Sequence, residues 1–315
     1  MTTPYISWLG HGASNYAPPG FITDATMTMF AVDADGAALQ ALVDKLLNPA
    51  GGGVVRYEVA VPMVSFSFLD AAKTGAEGVG WAPGREAAIW LFLVEMHPGH
   101  PLRTRLVMWA PYIFINYCVG LVTGREVWGW PKAMADIAMA ADAPDDPRYA
   151  CSTSYFPVLA TDSRAVTGTL YQVVRDAPAT RPAPIWTTAL EALEGLIGGF
   201  LSGAAEIVVN ALRLEPNIAC VALKQFRAAG LVETACYQGI ANSPIGLTHF
   251  AGGGPLFDAF SVEITTCESH RIVQDILGVA PGAATTRLPV RFAGQIAMNC
   301  EILPGNDIVV VQPAA

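Results

Sequence analysis

The sequence predicts an α+β fold: a large, mostly antiparallel β-sheet with a few helices against it. Three observations carry this reading. Runs with strand character far outnumber runs with helical period. They follow one another without regular βαβ alternation, which argues against a parallel doubly wound sheet. And hydrophobic residues make up 52% of the 315 positions while charged residues make up 14%, enough apolar material for an extensive core.

In chain order, residues 36–48 predict an amphipathic helix. Leu39, Leu42, Val43, Leu46 and Leu47 recur at i, i+3, i+4, i+7 and i+8, and Asn48-Pro49 stops the run. A turn at Gly51-Gly52-Gly53 follows. Val64-Ser65-Phe66-Ser67-Phe68 then alternates strictly, as a half-buried strand does. Further strand-like runs come at 87–95, 105–109, 111–123, 134–140 and 165–175. A second helix is expected over about 187–205, with Leu190, Leu193, Ile197, Phe200 and Leu201 on one face. Strands resume at 207–213, 218–226, 259–266, 288–299 and 307–311. The Pro-rich stretches at 143–147 and 177–185 are the best linker candidates, but strands of similar character flank both. One domain over residues 1–315 is therefore expected.

Eighteen basic against twenty-seven acidic residues give a formal charge of −9 with no basic run, so nucleic acid is not an expected partner. The six cysteines form no C-x-x-C pair and sit mostly in apolar stretches, the pattern of free thiols in a reducing compartment. Residues 1–15 lack the basic and apolar regions of a secretory signal. The most membrane-like stretch, Gly195 to Ala205, is well short of the ~20 residues that span a bilayer. The expectation is a cytoplasmic protein that does not engage a membrane.

No nucleophile elbow, H-E-x-x-H, Walker sequence or dinucleotide fingerprint occurs. His97-Pro98-Gly99-His100 reads as a proline-glycine turn rather than a pair of imidazoles for a metal. Gly252-Gly253-Gly254 is not followed by a helix start that would make it a phosphate cradle. Neither a metal nor a cofactor is expected.

Among four lysines, Lys45 falls on the polar side of the first helix, Lys73 in a polar loop and Lys224 on a solvated or ion-paired strand face. Lys132 differs. It ends Gly124-Arg125-Glu126-Val127-Trp128-Gly129-Trp130-Pro131-Lys132, directly after an apolar run, Ile113 to Val122, that reads as a long strand. Two readings stand at this point: a side chain snorkelling to water from a strand end, or a desolvated amine able to attack carbonyls. A free lysine has a pKa near ~10.4, so reaching about 6–7 takes roughly 5 kcal/mol. Burial alone has brought lysines to about 5–6.

This nine-residue segment resembles the lysine signature of the acetoacetate decarboxylase superfamily. Leu288-Pro289-Val290-Arg291, continuing to Ile308-Val309-Val310, resembles the family's closing strands. Leu223-Lys224-Gln225-Phe226 and Ala235-Cys236-Tyr237-Gln238 resemble a motif of its longer members. The resemblance implies a barrel-like antiparallel sheet, a symmetric homo-oligomer, and Lys132 as the Schiff-base lysine. Glu86, in Pro83-Gly84-Arg85-Glu86-Ala87-Ala88-Ile89, is similar to the family's second key group, the alternative being an ordinary strand-start acid paired with Arg85. Trp128 and Trp130 would line or back the substrate pocket, and Arg125 and Glu126 would form an ion pair supporting the lysine's loop.

Two departures bear on substrate. Family decarboxylases carry a second lysine beside the first, which helps to depress its pKa. Here that position is Ala133. A like charge at ~7 Å contributes roughly 2 kcal/mol at an effective dielectric near 20, so desolvation would have to supply the rest. The family's N-terminal arginine is also missing from Phe21–Thr26. The resemblance thus implies a cofactor-independent carbon–carbon lyase acting on a small keto acid through an imine at Lys132, foremost decarboxylation of a 3-keto acid. The alternatives are an aldolase-dehydratase condensing pyruvate with an aldehyde, and a non-catalytic relative binding a small ligand.

Overall fold

The computed structural model describes residues 4–7, 10–11, 15–100, 103–142, 148–180, 183–200, 217–231, 233–280 and 282–311. In its first half the elements are β1 (Gly20–Asp33), α1 (Gly36–Leu46), β2 (Arg56–Val59), β3 (Met63–Ala76), β4 (Gly80–Met96) and β5 (Thr104–Ile115). Then come α2 (Cys118–Glu126), β6 (Lys132–Met134), β7 (Asp136–Ala138), β8 (Arg148–Tyr155), β9 (Val166–Ala177) and α3 (Ala189–Phe200). The remainder comprises β10 (Asn217–Ile218), β11 (Val221–Arg227), β12 (Ala235–Asn242), β13 (Ile245–Leu256) and β14 (Ala259–Thr265). It ends with α4 (Ile272–Leu277), β15 (Thr285–Pro289), β16 (Phe292–Ile302) and β17 (Asn306–Val311).

A nine-stranded sheet dominates, in the order β10-β13-β16-β1-β3-β4-β5-β6 with β2 also paired to β4, and it curls into a half-barrel. A five-stranded sheet, β15-β14-β9-β8-β7, and a three-stranded sheet, β11-β12-β17, accompany it. The predicted α+β class with a large antiparallel sheet is the observed one.

Both faces of the large sheet are buried, each by one parity of the strands. Phe30, Phe66, Phe68 and Phe114 face the second sheet and meet Tyr149, Tyr171 and Phe260 edge-on or tilted, with ring centroids 5.1–6.0 Å apart. Such pairs add about 0.5–1.5 kcal/mol beyond their buried area. The other parity, including Ser65 and Ser67 of β3, faces a cavity. The alternation at 64–68 therefore marks two buried faces rather than one buried and one wet. In β1 a bulge between Ile22 and Ala25, with Asp24 at φ 50°, switches parity so that Ile22 and Met27 reach the same cavity.

Several expectations are corrected. The run 111–123 is not one strand: β5 stops at Ile115 and α2 begins at Cys118. The run 288–299 is two strands broken at Val290-Arg291, where the Arg291 N–H donates to Ala31 O. Lys73 lies in β3 rather than a loop, its amine 5.4 Å from the Trp81 ring centre. α1 matches its prediction, capped by Asp35 Oδ1 accepting from the Ala38 N–H at 2.8 Å, though it ends at Leu46. α3 covers the second predicted helix to Phe200, but Leu190 is exposed. The side chains of Leu193, Ile197 and Phe200, residue Leu201, and the predicted strand at 207–213 lie outside the described residues. No described helix is long and apolar enough to cross a membrane.

Candidate active site

β6 pairs in parallel with β5, setting Lys132 opposite Ile113, while β4 pairs antiparallel with β5 on its other side and sets Glu86 opposite Ile115. Residues 113 and 115 share one face, so Lys132 and Glu86 project to the same side from strands about 10 Å apart. The two long side chains close that gap across β5. Lys132 Nζ donates to Glu86 Oε2 at 2.6 Å. The lysine side chain is 6% exposed and the glutamate side chain 18%, so Lys132 points into the protein rather than snorkelling to water. Ala133, one residue on, turns to the opposite face and packs against the main core.

The segment between α2 and β6 is built to deliver this lysine. Gly129 takes φ 76°, and a Cβ there would stand 2.6 Å from Lys224 Cβ, so only glycine fits. The Trp130 N–H donates to Gly124 O at 2.9 Å and the Arg125 guanidinium donates to Lys132 O at 3.1 Å. Glu126 accepts instead from Asn15 Nδ2 at 2.7 Å, so both residues hold the loop, through partners other than the expected mutual ion pair. Lys224 donates to Val127 O at 3.0 Å, a backbone tie rather than a solvated or ion-paired position. Gly124 leaves room for the lysine stem: a Cβ on it would lie 2.5 Å from Lys132 Cδ.

The two tryptophans are buried and tilted against each other with ring centres 5.3 Å apart. Trp130 lies 4.9 Å from Lys132 Nζ, within cation–π range, and donates its indole N–H to Ser243 Oγ at 3.0 Å. Both rings, with Lys132 and Glu86, line a cavity of about 600 Å³. Arg85 does not pair with Glu86. Its guanidinium goes to Asp142, with contacts of 2.6 and 2.8 Å, and to Asp70 at 3.3 Å. Asp142 is held below the usual carboxylate range by that bond.

Other polar groups at this end carried no sequence signal. Tyr117 Oη stands 2.7 Å from Thr74 Oγ1, and burial, reinforced by the Glu86 charge, pushes its phenol up to about 12. Cys220 and Cys300 line the cavity as thiols that burial, then the Glu86 charge, raises to about 12, which makes them poor nucleophiles. His97 and His100 form the expected turn, the His100 N–H donating to His97 O at 2.7 Å.

Solved structures share this architecture. An acetoacetate decarboxylase from Legionella pneumophila subsp. pneumophila str. Philadelphia 1 superposes with TM-score 0.58 at 13% identity over 98% of both chains. An acetoacetate decarboxylase-like enzyme from Sphingomonas wittichii RW1 does so with TM-score 0.56 at 14% identity over 93% of both chains. The enduracididine biosynthesis enzyme MppR, complexed with the condensation product of pyruvate and imidazole 4-carboxaldehyde, gives TM-score 0.54 at 14% identity over 98% of both chains. At these identities the likeness is one of fold. No curated protein matches the chain. The family model for acetoacetate decarboxylase matches residues 3–171, more than half of the sequence and the part that contains both Glu86 and Lys132. The chain belongs to the acetoacetate decarboxylase family.

Proposed function

We propose that this protein is a cofactor-independent lyase that decarboxylates a 3-keto acid through an imine at Lys132. The observation that carries the reading is the 2.6 Å contact between Lys132 Nζ and Glu86 Oε2 inside a largely apolar cavity. Glu86 takes a proton from the ammonium, and the freed amine attacks the ketone carbon. The carbinolamine loses water, assisted by the proton on Glu86, and leaves an iminium ion. That cation accepts the electron pair of the breaking C–C bond, CO2 departs, and an enamine remains. Protonation at carbon and hydrolysis then release the ketone and restore Lys132. Net, a 3-keto acid anion and a proton become a ketone and CO2.

The surroundings suit these steps. The Trp130 ring attracts ammonium and iminium alike, a contribution of about 0.5–2 kcal/mol. Among the described lining residues the only other cation is Arg85, which Asp70 and Asp142 occupy. A substrate carboxylate is therefore poorly neutralised, and the step that removes its charge gains accordingly.

Ala133, in place of the family's second lysine, favours a second reading. In it the same imine forms from pyruvate, and its enamine adds to an aldehyde before dehydration; MppR, with its bound condensation product, shares the fold. The test is CO2 release and product analysis with 3-keto acids, and with pyruvate plus aldehydes, for the wild type, Lys132→Met and Glu86→Gln. Lys132→Met should be inactive and Glu86→Gln slowed about 10²–10⁴-fold. Turnover that survives Lys132→Met would overturn the imine.

A further inference from the structure

The cavity is far longer than the reacting group needs. On β4, Glu86, Trp90 and Phe92 all line it, and six residues of antiparallel strand advance about 20 Å. β16 repeats this length, with Ile296, Met298, Cys300 and Ile302 on the same side. The far end is made by Met27 and Met29 of β1, Phe92 of β4, Leu106 of β5 and Leu196 of α3, which pack as one cluster.

Charge is confined to the near end. Of the described lining residues only Arg85, Glu86 and Lys132 are charged. The polar Ser67 farther along accepts a hydrogen bond from Trp90 Nε1 at 2.9 Å. A volume of about 600 Å³ is in the range that encloses drug-sized ligands, whereas a four-carbon keto acid would leave most of it unfilled.

From this trough we infer the substrate class: a 3-oxo acid carrying an apolar chain of about ten carbons or more, its keto carbon at Lys132 and its chain running toward Leu106 and Leu196. The inference rests on the imine reading for its head group, while the chain-length argument rests on the trough alone. The reaction keeps the same balance, giving CO2 and a long-chain methyl ketone.

The experiment compares acetoacetate, 3-oxooctanoate and 3-oxododecanoate, following CO2 release and borohydride trapping. Alongside it, 2-undecanone binding is read by the fluorescence of the cavity tryptophans. Each buried methylene should raise kcat/KM about fourfold, so the twelve-carbon acid should exceed acetoacetate by at least ~100-fold. Leu106→Trp, or Met298→Trp should the first fail to fold, should cut the long-to-short ratio at least ~10-fold by filling the trough. Trapping with acetoacetate and a flat or falling chain-length series would overturn this inference and leave the imine reading intact. Tight 2-undecanone binding without any trapped adduct would support the apolar-chain class and remove the imine reading. Absence of both would overturn the two together.

Discussion

Gly124→Ala isolates the placement of the lysine from the stability of the fold. The added Cβ would stand 2.5 Å from Lys132 Cδ and 2.7 Å from Cε. Carbon atoms in contact sit at about 3.5–4.0 Å, so the stem must move by roughly 1 Å. The amine is fixed at its tip by Glu86 at 2.6 Å, so the shift strains or breaks that contact. Stability should change little: alanine gains about 1 kcal/mol over glycine inside a helix, while overpacking costs about 1–3 kcal/mol. A displacement of that size in reacting groups costs on the order of 10²-fold in rate. The assay is single-turnover imine trapping beside urea unfolding, with Gly99→Ala as control, since a Cβ there meets nothing within 4 Å. A folded Gly124→Ala with wild-type trapping rate would refute the claim that this clearance positions the amine.

Three further perturbations follow from the same geometry. Lys132→Met and Glu86→Leu each strand a buried partner and should cost about 3–5 kcal/mol, while the double variant should recover most of that loss; a double-variant loss equal to the sum of the two single losses in urea unfolding would mean the pair is not coupled. Ser243→Ala removes the acceptor of the buried Trp130 N–H and should cost about 1–3 kcal/mol in urea unfolding, and a loss under a few tenths would show that the indole finds another partner. Burial holds His270 below its ordinary pKa, so the unfolded chain binds the extra proton first as pH falls. Its contribution is therefore fully present above about 6.5 and is lost as pH drops from there through the folded value. His270→Gln should flatten that part of the stability–pH curve, and an unchanged slope would contradict the assignment.

Much of the candidate site was legible in residues 124–132, because their resemblance to the family's lysine signature singled out Lys132 where the residues alone left a snorkelling side chain open as well. The sheet class was legible too, from runs such as 64–68. What failed to show has physical reasons. Cys118 to Val122 is apolar and short, and such a run has no period that separates strand from helix; α2 became visible only once β5 ended at Ile115. The approach of Glu86 to Lys132 depends on two registers against β5, and neither register is written locally. Ser65 and Ser67 look like the wet side of a strand, yet they are 2% and 5% exposed, because the second face closes over a cavity rather than opening to solvent. Tyr117 and Ser243 are contacts of long sequence separation and leave no pattern to read.

The most direct test of the imine is borohydride reduction of the protein in the presence of acetoacetate and of longer 3-oxo acids, followed by intact mass and peptide mapping. The expected result is a reduced ketone adduct on Lys132, absent from Lys132→Met and formed more slowly in Glu86→Gln. Turnover of a keto acid with Lys132 left unmodified, or an adduct confined to Lys45, Lys73 or Lys224, would contradict it.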